Sequence, residues 1–160
     1  MTSRTISAQD VDDLAVGSWI IGTGGGGSPY LNHLNVQRLA EQGQTFELVD
    51  PRSLDDDALV AVVSTMGAPI VMQERLQDSR DIARAVEIMQ DHLGRRFDAV
   101  MAVEIGGSNA FQPLMAAAHL DLPVVDADAM GRAYPEAQMT SFAVGGLQPW
   151  PLSLVDPRGV

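Results

Sequence analysis

Two continuous apolar runs constrain the fold of this chain more than any other feature. Residues 58–64 read Ala-Leu-Val-Ala-Val-Val-Ser, and residues 98–105 read Asp-Ala-Val-Met-Ala-Val-Glu-Ile. Runs without polar alternation are typical of strands in parallel sheets that are buried on both faces. The two runs therefore predict two interior strands, adjacent or nearly adjacent in one sheet.

Segments that favour helix separate the predicted strands. Apolar residues recur at helical spacing in residues 7–20, 29–42 and 79–93, and an alanine-rich stretch ends at Leu120. Further strands are predicted at residues 45–49 and 123–126, with a weaker one at 138–144, and residues 66–69 are predicted as a turn. Strands that alternate with helices indicate an α/β fold. We expect a mostly parallel or mixed sheet flanked by helices in three layers.

A glycine-rich segment follows the first predicted helix. Residues 22–29 read Gly-Thr-Gly-Gly-Gly-Gly-Ser-Pro, and the last two suit the cap and first position of the next helix. Glycine lets a ligand approach the backbone, and N–H groups at a helix N-terminus bind negative or carbonyl-bearing groups. A plain flexible connector is the alternative. The predicted ligand-binding residues of this loop are Gly24, Gly25, Gly26, Gly27 and Ser28.

Two nucleotide-binding motifs match this loop incompletely. Gly22 and Gly27 have the spacing of a P-loop, but Ser28 stands where the motif needs lysine. Gly22, Gly24 and Gly27 also fit G-x-G-x-x-G, and Asp50 follows at a strand end. That motif requires a preceding strand, whereas a helix is predicted there. A dinucleotide site is therefore the weaker interpretation.

Polar residues follow two predicted strands at their carboxyl ends, where open α/β sheets bind ligands. Glu104 and a Gly106-Gly107-Ser108-Asn109 turn follow one strand, and Asp126 and Asp128 follow the next. Two aspartates two residues apart on an extended backbone point the same way. We predict that these groups converge in one site. The residues assigned to it, besides the glycine loop, are Glu104, Gly106, Gly107, Asn109, Asp126, Asp128, Arg132 and Glu136.

Several members of this set have a structural alternative. Glu104 would then be an edge carboxylate in a salt bridge, Asp126 a turn cap and Asn109 a helix N-cap. Arg132 would be a solvated charge, although two acidic neighbours, Asp128 and Glu136, lie close enough in sequence to pair with it or to share a ligand with it.

Composition excludes several function classes. The chain has no cysteine and no lysine, which excludes thiolate and Schiff-base chemistry within it. A net charge of −11 argues against nucleic acid and anionic membrane surfaces as partners. No apolar stretch long enough for a membrane span and no signal peptide are visible. We expect a cytoplasmic protein that binds a small molecule; homo-oligomerisation stays open.

Three motifs carry a family resemblance. They are GTGGGGSPY at residues 22–30, VEIGGSN at 103–109, and PVVDADAMGRAYPE at 123–136 followed by QMT at 138–140. In this order they resemble the N-terminal domain of the S-methyl thiohydantoin desulfurase family, over residues 11–142. Two positions depart from the pattern: the family usually has aspartate where Ser28 stands and glycine where Ala129 stands.

The resemblance implies a hydrolase that replaces a sulfur substituent of a hydantoin-like ring with oxygen, in association with hydantoinase and oxoprolinase proteins. It also implies a second domain. We therefore expect residues 1–145 to form the α/β domain and residues 146–160 to be an exit linker to a C-terminal domain outside this chain. A non-catalytic small-molecule or nucleotide-binding module, or an assembly subunit, is the alternative.

The residues suggest roles in such a reaction. Asp126 or Asp128 would act as general base, or would hold a divalent metal that activates water, and Glu104 would share that role. Arg132 and the amides of the glycine loop would stabilise the negative charge that develops on the ring. The candidate metal ligands are thus three carboxylates, and the metal itself is not identified by the sequence.

Overall fold

A computed structural model gives the structure of residues 3–136 and 138–158. The strands are β1 (Ser3–Thr5), β2 (Glu47–Val49), β3 (Val60–Val63), β4 (Ala99–Ala102) and β5 (Val124–Asp128). The α-helices are α1 (Ala8–Gly22), α2 (Tyr30–Glu41), α3 (Pro69–Glu74), α4 (Asp81–Leu93), α5 (Gln112–Leu120) and α6 (Ser141–Val144). Short 3₁₀ helices cover Pro51–Ser53 and Gly107–Phe111.

The strands form one mixed sheet in the order β1-β2-β5-β4-β3. β2, β5, β4 and β3 run parallel, and β1 is antiparallel to β2. Between β4 and β5 the register shifts, because Val100 pairs with Val124 whereas Ala102 pairs with Asp128. The predicted α/β fold with a mostly parallel or mixed sheet is confirmed.

The position of β3 corrects one prediction. β3 and β4 are adjacent as expected, but β3 lies at an edge of the described sheet and is not an interior strand. Ala61 and Val63 are buried, whereas Val62 is 43% exposed. One face of β3 is therefore buried and the other is only partly covered, through Val60, while all of β4 is buried. An apolar run alone cannot distinguish these cases, because both present the same residue types.

The helices cover the two faces of the sheet unequally. The larger core lies on the face that receives α1, α2, α4 and α5, whose buried residues include Val11, Val36, Val86 and Leu114. A smaller core on the other face joins Met101 and Val125 to Leu54 and Phe142. The helix that covers this second face of the sheet is therefore mainly the short α6.

The ends of the first two helices follow their sequence signals closely. Ser7 caps α1, and its side chain and that of Asp10 form a reciprocal capping box. α2 begins at Tyr30, one residue later than predicted, with Pro29 at the N-cap. The hydroxyl of Ser28 accepts a hydrogen bond from the Tyr30 N–H at 3.3 Å. Ser28 thus stabilises the start of α2 as expected, although it lies one position before the N-cap residue.

Two connecting segments differ from the sequence expectation. The predicted turn at residues 66–69 leads into α3, a six-residue helix that the sequence pattern did not reveal. The weak strand predicted at residues 138–144 is wrong, because residues 141–144 form α6, capped by Thr140. The Thr140 hydroxyl accepts from the Ala143 N–H at 3.1 Å, and this local bond favours a helical turn.

The last described segment, residues 146–158, contains no helix or strand. Ser153 donates a hydrogen bond to the carbonyl oxygen of Ala85 in α4 at 2.7 Å, so the segment contacts the domain. Its role as an exit linker stays a prediction. In residues 3–136 and 138–158, none of the helices has the length and hydropathy needed to cross a membrane.

Candidate functional site

The glycine loop packs backbone against backbone with the turn that follows β4. The carbonyl oxygen of Gly26 accepts hydrogen bonds from the N–H and hydroxyl of Ser108, at 2.8 and 2.7 Å. A Cβ on Gly107 would lie 2.5 Å from the carbonyl carbon of Gly26, and a Cβ on Gly26 would overlap the carbonyl oxygen of Gly106. Glycine is therefore required on both sides of this contact.

A third segment, which contains Ala133, packs against the contact between the glycine loop and the turn after β4. A Cβ on Gly25 would lie 2.7 Å from the Cβ of Ala133, and one on Gly106 would lie 3.0 Å from the N of Ala133. Close packing thus explains Gly25, Gly26 and Gly106, whereas Gly24, at φ 94°, has open space around it. Of the loop residues, Gly24 is the one with free room for a ligand. Ligand binding by the loop stays a prediction.

Glu104 lies beneath these three segments, two residues beyond the end of β4. Its side chain is buried, at 5% exposure for the residue. Its Oε1 accepts a hydrogen bond from Asn109 Nδ2 at 2.7 Å, and its Oε2 is buried without a partner among the described residues. No ion pair of Glu104 occurs in the described part of the chain, so the salt-bridge alternative is wrong.

The surroundings of Glu104 favour its protonated form. Burial raises the pKa of the carboxyl, because a charged group loses hydration there, and the negative charge of Asp128 acts in the same direction. The hydrogen bond from Asn109 opposes this shift, and so does the nearby Tyr134 backbone N–H, which makes no hydrogen bond to Oε2, but together they do not cancel it. A carboxyl with a raised pKa at a strand end is a candidate general acid.

Asn109 does not cap a helix, contrary to the structural alternative. It lies inside the 3₁₀ helix Gly107–Phe111 and is 5% exposed. Its Oδ1 accepts from the N–H and hydroxyl of Thr65, at 2.8 and 3.0 Å, and its Nδ2 donates to Glu104. Asn109 therefore joins the end of β3 to the carboxyl group that follows β4. The sequence offered no signal for Thr65, which lies 44 residues away.

Asp128 joins the carboxyl ends of β4 and β5. Its Oδ2 accepts from the N–H groups of Ile105 and Gly131, at 2.9 and 2.8 Å. The turn-capping role considered for Asp126 therefore belongs to Asp128. Asp126 is exposed, and it lies where the register between β4 and β5 shifts.

Two grooves meet at Asp128. The first, of about 440 Å³, lies between α1, α5 and the sheet, and both Asp126 and Asp128 line it. The second, of about 460 Å³, is lined by Asp128, Tyr134 and Thr140 among others. Glu104 lines neither groove and lies behind Asp128. The floor of the first groove is apolar and includes Ile6, Leu14, Leu48, Leu114 and Val124.

The family model described as S-Me-THD-like, N-terminal domain, matches residues 9–160. The chain belongs to the S-Me-THD-like family, as its N-terminal domain. It is also similar to a crystal structure of a protein from Chromobacterium violaceum, with 27% sequence identity and a TM-score of 0.72. That match covers 89% of this chain and 40% of the other, so this chain spans less than half of the solved protein. No curated protein matches the chain.

The structure does not bring every predicted site residue of this S-Me-THD-like domain together. Arg132 is exposed, and the described residues provide no ion pair between it and Asp128 or Glu136, so a ligand that it shares with these acids stays a prediction. Glu136 instead accepts a hydrogen bond from the side-chain amide of Gln138. Asp50 caps the 3₁₀ helix Pro51–Ser53 and pairs with Arg52, and α1 precedes the glycine loop, so the dinucleotide motif lacks its context.

The carboxylates of the S-Me-THD-like domain do not form the metal site that the sequence suggested. Across residues 3–136 and 138–158, no three histidine, cysteine or acidic side chains lie close enough to hold a metal ion. Glu104 is buried behind Asp128, and one oxygen of Asp128 already accepts two backbone N–H groups. The donor set therefore does not fit a metal, and we derive no step from one.

The raised pKa of Glu104 predicts a pH-dependent stability difference between the protein and a Glu104→Gln variant. Because the folded state binds the proton more tightly, stability from this group is complete below the unfolded pKa, about 4.5. It is lost as the pH rises through the folded pKa. Glutamine keeps an acceptor for Asn109 and cannot ionise. We expect the melting temperature of the variant to rise relative to that of the parent over the pH range above about 4.5. A difference that stays constant across this range would contradict the assignment.

Proposed function

We propose that this domain is part of a hydrolase that replaces the sulfur substituent of an S-methyl thiohydantoin-like ring with oxygen. The observation that carries the proposal is the pair formed by Glu104 and Asp128 at the ends of adjacent strands. One carboxyl is buried and has a raised pKa, and the other lines two grooves and accepts two backbone N–H groups. Carboxyl groups in contrasting environments are the usual arrangement of an acid and a base in one site. Membership of the S-Me-THD-like family supports the substrate class.

The proposed reaction is a hydrolysis with a thiol as leaving group. Asp128 takes a proton from water, whose oxygen attacks the ring carbon that bears the methylthio group. A carbon–oxygen bond forms and the carbon–sulfur bond breaks, which gives a ring carbonyl and methanethiol. Glu104 supplies the proton that the ring nitrogen or the departing sulfur needs, and regains it from Asp128 after the step. One water proton ends on sulfur and the other on ring nitrogen.

Two surfaces are assigned to the substrate in this proposal. The apolar floor of the first groove receives the substituent of the ring, because the reacting carbon must lie at Asp128 on its rim. Arg132 and the glycine loop stabilise negative charge on the ring. Arg132 is exposed and forms no ion pair with another described residue. This supports its proposed role, because no such pair draws its guanidinium group away from the ring.

The complete protein is the unit in which we propose this activity. The chain spans 40% of the solved protein that it resembles, and we propose that a C-terminal domain completes the site. A cytoplasmic location and assembly into a homo-oligomer are parts of the same proposal. Hydantoinase-type and oxoprolinase-type proteins are its proposed functional companions.

Thiol release tests this function directly. Protein expressed from the complete gene is incubated with S-methyl thiohydantoins, free thiol is measured with a chromogenic thiol reagent, and the hydantoin product is identified by mass spectrometry. We expect stoichiometric thiol and hydantoin with many turnovers per protein molecule. Residues 1–160 alone serve as the comparison, and we expect them to be less active than the complete protein.

Binding without turnover would favour the alternative function. Calorimetry with the same thiohydantoins separates the two outcomes, because a non-catalytic binding module gives saturable heat and no thiol. This alternative has one observation in its favour: Glu104 lies behind Asp128 and lines neither groove. Saturable binding with no thiol release from the complete protein would contradict the proposed hydrolase.

A further inference from the structure

The side-chain amide of Asn109 has only one orientation that satisfies its neighbours. The backbone N–H of Thr65 is a donor and never an acceptor, and it lies 2.8 Å from Oδ1 of Asn109. An amide oxygen must face this N–H, which places the amide nitrogen on the opposite side. The hydroxyl of Thr65 donates to the same oxygen, at 3.0 Å.

A chain of hydrogen bonds therefore runs in one direction toward Glu104. Gln112 Nε2 donates to the Thr65 hydroxyl at 3.3 Å, Thr65 donates to Asn109, and Asn109 Nδ2 donates to Glu104 Oε1 at 2.7 Å. Gln112 is 1% exposed and Asn109 is 5% exposed, whereas Thr65 between them is half-buried. Chains of this kind strengthen each bond, since every member polarises the next.

The direction of this chain distinguishes the two oxygens of Glu104. Oε1 receives an N–H and cannot carry a proton toward Asn109. Oε2 is buried and has no partner in the described part of the chain. A buried polar atom without a partner is costly, and it calls for an explanation such as a catalytic role. The neutral carboxyl therefore has its proton on Oε2.

We propose that Asn109 is a positioning residue that directs the transferable proton of Glu104 to Oε2. The proposal rests on the function proposed above only in naming the ring as the group that receives this proton. The charged group that acts on Glu104 is Asp128 at the end of β5. The other neighbours contribute uncharged groups, namely Gly26 of the glycine loop, Asn109 itself and the Tyr134 backbone N–H. A neutral amide therefore sets which oxygen is protonated.

Infrared spectroscopy of the complete protein tests this assignment without any assay of turnover. The carbonyl stretching band of protonated Glu104 is the band that disappears in Glu104→Gln. It is sought in a pH series that extends down to the unfolded-state pKa of about 4.5, where the greater part of a carboxyl with a raised pKa is protonated. A hydrogen bond to the carbonyl oxygen lowers the frequency of that band. Because Asn109→Ala removes the donor to Oε1, we expect the band to shift to higher frequency in this variant.

Two further variants keep the test decisive if Asn109→Ala does not fold. Asn109→Leu has nearly the same size and has no N–H to donate to Glu104, so the band should move there too. Thr65→Ser retains both donors to Asn109 and should leave the band unchanged. An unchanged band in a folded Asn109→Leu protein, or no band that depends on Glu104, would overturn the proposal.

Kinetics then connect the positioning to the reaction. If Asn109 aligns the proton, its loss lowers kcat by about tenfold or more and changes KM by less than about threefold. A merely structural role would lower the melting temperature and leave the kcat of the folded fraction unchanged, which would count against the proposal. If the wild-type complete protein turns over no thiohydantoin, the proposed hydrolase fails. The infrared shift still decides the Asn109 assignment in that case.

Discussion

Asp128→Asn is expected to lower the turnover of S-methyl thiohydantoins by the complete protein by at least about a hundredfold, the usual contribution of a positioned base. Asparagine has the size of aspartate, and its amide oxygen can accept the N–H groups of Ile105 and Gly131 that now bind Oδ2. The turn after β5 should therefore persist while the negative charge is lost. Turnover and melting temperature are measured on the same preparation.

A second capping aspartate provides the matched control. Asp50 accepts a backbone N–H from Arg52 at 2.9 Å, as Asp128 does from its neighbours, but it lies at the 3₁₀ helix Pro51–Ser53, outside the proposed site. Asp50→Asn should leave turnover unchanged. Full activity in a folded Asp128→Asn protein would remove Asp128 from the mechanism and leave a cap of the turn.

Gly107→Ala should cause a large loss of stability for a single methyl addition. A Cβ at this residue, which has φ 61°, would lie 2.5 Å from both the carbonyl carbon of Gly26 and the carbonyl oxygen of Gly27. Overpacking of this kind costs about 1–3 kcal/mol, and the left-handed backbone adds about 1 kcal/mol for a residue with a side chain. For a chain of this size, about 3 kcal/mol lowers the melting temperature by about 10 °C.

Gly94→Ala separates crowding from backbone strain. Gly94 ends α4 at φ 64°, nearly the same angle as Gly107, but nothing lies within 4 Å of its added Cβ. Gly94→Ala should therefore lose only about 1 kcal/mol of stability, the cost of a side chain on a left-handed backbone. Equal melting temperatures for the two variants would contradict the close packing of the glycine loop against the turn after β4.

This packing also changes what substitutions in the glycine loop can demonstrate. A branched side chain at Gly25 or Gly26 would collide with Ala133 or Gly106, so a loss of ligand binding there would follow from the damaged loop alone. Gly24 has open space, at φ 94°. A substitution at Gly24 is therefore the better test of ligand approach, provided that Gly94→Ala is used to account for the strain of a positive φ.

The sequence alone determined the fold class, most of the elements and the family. Apolar run length identified β4, helical spacing identified α1, and the order of three motifs identified the S-Me-THD-like domain. These features are local, because hydrophobic periodicity and hydrogen bonding within one segment of the chain determine them. For the same reason, the sequence predicted that polar groups meet at the carboxyl ends of the parallel strands.

Tertiary structure decided which of those polar groups act on each other. Nothing local in the sequence indicates that Thr65 orients Asn109, or that β3 lies at a sheet edge, since both depend on which strands become neighbours. The sequence also suggested a ligand as the reason for the glycines. The fold instead requires Gly22 and Gly26 for backbone contact with the turn after β4, and Gly25 for contact with Ala133. The hydrogen bond from Ser108 to Gly26, at a sequence separation of 82, belongs to the same contact. Burial, finally, raises the pKa of Glu104 and leaves one of its oxygens without a partner, and burial exists only in the folded chain.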